Sequence, residues 1–156
     1  MAFDPTVSLQ ALMSVIAASG YCTGGVRARH PLAPPDGDYA AHVFYDEITV
    51  NQLFAGGEDE QTHTLGIRLY QVADRSPNEE HAEIELGQLV GNVIGAIAAD
   101  ADLGAGANGV RNVDAAGITG ESVRAFWGYD EIGGTQYRTV DIVVPLIVDG
   151  SATWQA

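Results

Sequence analysis

One long helical pattern, set between two β-like stretches before it and three after it, most constrains this chain. Ser76-Pro77-Asn78-Glu79 has the form of a capping box. Its serine takes a free N–H, its glutamate reaches back, and proline sits where no N–H is needed. Beyond it, Leu86, Leu89, Val90, Val93 and Ile97 fall within about 100° on a helical wheel, so a helix ending near Ala99 buries that stripe. Ahead of it, Ala40–Val50 and Thr62–Val72 read as strands; the second sets Leu65, Ile67 and Leu69 on one face against Thr64, Arg68 and Tyr70 on the other. After it come Val110–Ala115, Ser122–Tyr129 and Gln136–Val148, with Gly133-Gly134 turning the last pair into a hairpin. Near the start, Asp4-Pro5 opens an amphipathic helix that presents Leu9, Leu12, Met13 and Ile16 and stops at Gly20. The expectation is a single α+β domain over residues 1–156: a mostly antiparallel sheet of about five strands with two helices packed against it.

Charge narrows the function classes. The chain has 21 acids, seven arginines and no lysine, for a net charge of −14. Tight nucleic-acid binding needs cations that replace condensed counterions, so a conventional DNA binder is excluded. A wall past which DNA slides without sticking is compatible with such a surface, as is plain solubility. No apolar run approaches the roughly 20 residues that span a bilayer, and Met1-Ala2-Phe3-Asp4-Pro5 shows no signal-peptide pattern, so neither membrane insertion nor export is expected. Cys22 is the single cysteine and reads as a small, partly buried hydrophobe.

Three connections and one helix face carry the candidate interaction residues. Residues 21–39 are rich in Gly and Pro and read as an extended arm bearing Arg27, Arg29 and His30, the densest positive spot in the sequence. Residues 51–61 read as an acidic hairpin loop with Glu58, Asp59 and Glu60 at its tip, and residues 149–156 as a tail that offers Trp154 as a partner anchor. In the long helix, Gly87, Gly91 and Gly95 recur every four residues, away from the apolar stripe. Each glycine costs about 0.5–1 kcal/mol relative to alanine there, which implies a close backbone approach, either by this chain's own sheet or by a neighbouring subunit. The final strand, TVDIVVPLIV, is apolar on both faces in its second half and so is central or covered; Pro145 is expected to break or shift its pairing.

Catalytic patterns do not hold together. Gly104-Ala-Gly106-Ala-Asn-Gly109 matches the dinucleotide fingerprint in letters, but it closes a helix and leads into a strand, the reverse of what a pyrophosphate site needs. His81 and Glu85 stand one helical turn apart, yet a zinc site needs three or four ligands. No serine lies in a nucleophile-elbow pattern. No catalytic residue, cofactor or metal is expected.

From Gly109 onward the sequence carries a specific likeness. Gly109-Val110-Arg111-Asn112-Val113-Asp114, Gly117, Gly128-Tyr129-Asp130, the run Tyr137-Arg138-Thr139-Val140-Asp141-Ile142-Val143-Val144-Pro145-Leu146-Ile147-Val148-Asp149 and the terminal Trp154-Gln155-Ala156 resemble the tail terminator proteins of long-tailed actinobacteriophages. Upstream the order of elements agrees, including Ile67-Arg68-Leu69-Tyr70, whereas 20–39 and 51–61 fit in position only. The resemblance implies a structural virion protein, assembled in the host cytoplasm, that forms a homo-hexameric ring at the head-proximal end of the tail tube. Such a ring stops tube polymerisation and meets the tail tube protein on one side and the head–tail connector or stopper on the other. A ring of six copies of −14 would carry about −84 in all, suited to passing DNA without binding it. On this reading Gly87, Gly91, Gly95, Arg27 and Arg29 are candidate subunit contacts, Glu58, Asp59 and Glu60 face the lumen or tube, and Trp154 anchors a partner. The alternatives are another neck or tail component (a head-completion stopper or a tube subunit) and, from another class, a small acidic metal-binding enzyme.

Overall fold

The computed structural model describes residues 2–50, 60–72, 79–100, 110–113, 122–149 and 154–155. The elements run β1 (Ala2–Phe3), α1 (Thr6–Ser19), β2 (Val26–Ala28), β3 (Ala41–Val50), β4 (Glu60–Val72), α2 (Glu79–Ala99), β5 (Val110–Val113), β6 (Arg124–Ile132), β7 (Thr135–Asp149) and β8 (Trp154–Gln155). The α+β architecture is as the patterns predict. The main sheet follows the order β2-β3-β4-β7-β5, with β6 also paired to β7, and every pairing except β2–β3 is antiparallel.

Local chemistry sets the element ends. Asp4 Oδ1 accepts the Thr6 N–H at 3.0 Å and the Thr6 hydroxyl at 2.6 Å, satisfying donors that the first turn of α1 leaves open. Gly20 closes that helix in the left-handed region at φ 74°. Gly133 and Gly134, at φ 60° and 83°, make the two-residue turn whose twist matches the β6–β7 hairpin.

One face of the sheet carries both helices. Leu12 and Ile16 of α1 and Leu86, Leu89, Val90, Val93 and Ile97 of α2 pack with Val43, Leu65, Ile67, Leu69, Val140, Ile142 and Val144 into one core. All five residues of the α2 stripe read from the sequence are buried there. The pairing of β4 with β7 runs unbroken from Glu60↔Asp149 to Val72↔Tyr137, so these two long strands form the spine.

Three expectations change. The arm over residues 21–39 is not simply extended: it adds β2 as a parallel sixth strand of the main sheet, because Val26, Arg27 and Ala28 align with Ala41, His42 and Val43. The break expected at Pro145 is found on one side of β7 only: towards β4 it stays in register with Thr64. The discontinuity falls on the other side of β7, where β6 pairs up to Val143 and β5 begins at Leu146. A proline lacks only an N–H, and at the gap between two successive partners none is required. Finally, Trp154 is not on a free tail: its backbone pairs with Phe3 in a separate β1–β8 ribbon. The capping box at 76–78, the tip residues Glu58 and Asp59 and the 104–109 glycine loop lie outside the described residues, while Glu60 opens β4.

Candidate subunit interface

The face of the sheet opposite the helices is covered in part by the arm, and Arg68 holds it. Arg68 projects from β4 with 16% of its side chain exposed and grips Asp141 of β7 through Nε (2.6 Å) and Nη2 (2.7 Å). Its Nη1 reaches Asp130 of β6 and the Pro31 carbonyl of the arm, both at 3.3 Å. The Tyr70 hydroxyl donates to the same carbonyl. A planar guanidinium serves three directions at once, so one residue links two strands to the arm. Burial pushes Tyr70 up to about 12, so it remains a donor at any ordinary pH.

Under the arm lies His42, 1% exposed, with its ring edge-on to Tyr70 at 4.8 Å between centroids. Neither ring nitrogen makes a hydrogen bond of good geometry. Burial lowers its pKa first and the Arg29 cation lowers it further, against smaller upward contributions from Asp36 and the His30 backbone.

Arg27 and Arg29 hold the arm's own turn. Asp36 accepts from Arg27 Nε and Arg29 Nη1, each at 3.2 Å, and Arg29 also donates to the Pro34 carbonyl. The Arg27 hydrogen bond is the main cause of the lowered Asp36 pKa. Both arginines therefore remain at the surface as members of an ion-pair cluster, with Arg27 the more open at 62%.

On the helix side, Ser8, His63 and Gln61 form a fully buried chain. His63 Nδ1 lies 2.7 Å from the Ser8 hydroxyl and Nε2 lies 2.8 Å from Gln61 Oε1. The Ser8 hydroxyl also donates to the Pro5 carbonyl at 3.0 Å, so its single proton is shared between that oxygen and His63 Nδ1, and the row of serine, imidazole and amide has the spacing of a nucleophile relay. All three residues are 0% exposed, so no substrate reaches the hydroxyl; the chain fastens α1 to β4. Burial lowers the His63 pKa to about 4 and keeps it neutral. The second side-chain cluster centres on Glu85, whose Oε2 accepts from Tyr39 (2.8 Å) and Gln71 (2.5 Å) and so ties α2 to the arm and to β4. That engages the carboxylate the sequence paired with His81. Among the described residues, no three His, Cys, Asp or Glu side chains converge on a point that could hold a metal ion. Among the same residues, no helix is long and apolar enough to cross a membrane.

Two further outward surfaces stand out among the described residues. Gly87, Gly91 and Gly95 line an exposed side of α2, and a Cβ built on any of them would meet nothing within 4 Å. The sheet of this chain is thus not what their small size accommodates. Exposed Ile84 lies among them on the same helix face. The second surface was missed by sequence reasoning: β6 exposes Phe126 (53%), Trp127 (44%) and Tyr129 (63%). The signal was present, because consecutive aromatics in a strand face opposite sides and only one side of this sheet carries helices. Arg138 stacks over the Tyr129 ring at 4.3 Å and is held there by Glu83 of α2 at 2.8 Å, which covers one face of that ring; Trp127 shares the helix side with it.

A scan against protein-family models found no match, and a search of curated proteins found none either.

Proposed function

We propose that this chain is a ring-forming virion protein that closes the head-proximal end of a siphovirus tail tube and joins it to the head connector. The observation that carries the reading is the unlikeness of its outward surfaces. Among the described residues, an aromatic rim on β6 and a bare glycine face on α2 stand uncovered, whereas the opposite rim of the sheet presents arginines. Unlike, complementary surfaces join copies head to tail, and such contacts close into rings or run on into filaments. The resemblance from Gly109 onward supplies the tail setting, and the net charge of −14 suits a passage through which DNA moves without adhering.

The test is a native mass measurement of the purified full-length chain, together with negative-stain electron microscopy. A single closed ring of six copies is expected. Stacked filaments would favour a tube subunit, and a monomer at every concentration would end the ring reading.

A further inference from the structure

We infer that the two open rims of the main sheet are the complementary halves of one contact between copies of this chain, β6 of one docking against β2 of the next. This rests on the ring reading and names the surfaces that would build it. The rims stand at opposite ends of the sheet, β2 beyond β3 and β6 beyond β7, so a copy that uses one leaves the other free. Among the described residues each is paired on one side only. An open strand edge is a template for another strand.

The backbone groups available are definable. The two-residue turn makes Ile132 and Thr135 the hydrogen-bonded pair of the hairpin. Alternate residues therefore face β7, and Trp127, Tyr129 and Glu131 turn their N–H and C=O groups outward. In β2 the Gly25 carbonyl accepts from Ala41 N–H and Arg29 N–H donates to Val43, so the groups of Val26 and Ala28 point to the open side.

Side chains match face by face. Trp127 pairs in register with core residue Val140 and so lies on the helix side of the sheet. Joining copies without flipping the sheet sets it against Val26 and exposed Ala28, where small side chains leave room for an indole. Phe126 pairs with Asp141, the partner of Arg68, and so lies on the arm side; Arg27 pairs with His42 on that same side. The contact thus brings the Arg27 guanidinium beside the Phe126 ring, over which Arg124 of its own strand lies at 5.7 Å, and towards Asp130, which also meets Arg68, on the arm side of β6. For chains that each carry −14 and repel one another at distance, a contact that places a cation towards a carboxylate is one that charge favours. Arg68 and Arg138 are drawn into their own chain, at 16% and 15% exposed.

The experiment uses the full chain, sized by light scattering across a concentration series, with urea unfolding as a control for folding. Trp127→Ser is expected to weaken association by about tenfold or more, as truncating an aromatic anchor does. Phe126→Lys sets cation against cation and Arg27→Glu sets carboxylate against carboxylate; each is expected to weaken association similarly. The double variant restores an opposite-charge pair and recovers most of the loss. Assembly of all three single variants at the wild-type concentration would overturn the rim contact while leaving the ring intact. A wild-type dimer or open chain that responds to these substitutions supports the rim contact and removes the ring. A wild type that stays monomeric throughout overturns both.

Discussion

Arg68 and Asp141 face each other across the two longest strands through a pair of hydrogen bonds of 2.6 and 2.7 Å. The same guanidinium reaches the arm through the Pro31 carbonyl. Replacing Arg68 by alanine strands Asp141 and releases the arm, and is expected to cost about 2–4 kcal/mol in urea unfolding. Arg68→Lys keeps the charge but not the fork, and is expected to recover less than half of that loss.

Acid is expected to weaken the fold through its buried histidines. His63 falls from 6.5 to about 4 on folding, and His42 is lowered as well. Below pH 6.5 the unfolded chain takes up protons that the folded chain refuses, so stability is full above that pH and declines as pH falls towards 4. The His63 contribution to this decline is about 3 kcal/mol. Urea midpoints at pH 7.5, 5.5 and 4.5 measure it, and His63→Gln is expected to flatten the profile between pH 6.5 and 4.5 even though it lowers stability at neutral pH.

Two glycines make opposite predictions. A Cβ at Gly66 would strike the Phe44 ring packed over it, so Gly66→Ala is expected to destabilise by about 1–3 kcal/mol. A Cβ at Gly91 meets nothing within 4 Å, so Gly91→Ala is expected to raise the unfolding free energy of the isolated chain by about 0.5–1 kcal/mol. Gly91→Leu is expected to leave folding intact and to weaken ring closure. An unchanged assembled mass for that variant would remove the α2 face from the interface.

Cys22 is buried and its thiol is pushed up to about 11 by desolvation. Thiolate is the reactive form, so alkylation at pH 8 is expected to be slower by at least about 100-fold in the folded chain than in urea. Mass spectrometry after timed quenching reads the difference.

Periodic features of the sequence translated directly into the fold. The α2 stripe, the alternation of β4 and the Gly133-Gly134 turn each encode burial or backbone shape locally, and all three stand where their spacing predicts. Non-local features did not translate. Nothing near Val26 announces a parallel strand, because its partner lies fifteen residues downstream and the match is in backbone register. Arg68 looked like one polar residue on an outward face; its grip on Asp141, Asp130 and Pro31 depends on three segments meeting. Arg27 and Arg29 were visible as a positive spot, but their tether to Asp36 required the turn between them to close. The aromatics of β6 were legible as residues and not as a rim, since which strand lies outermost is decided by topology.

The change of partners along β7 divides this side of the sheet into two leaves. Among the described residues, hairpin strand β6 and short strand β5 each lean on β7, on either side of Pro145, and no pairing joins the two. In backbone pairing the aromatic hairpin is thus held through β7 alone among the described residues, whereas the β4–β7 spine is backed by both helices.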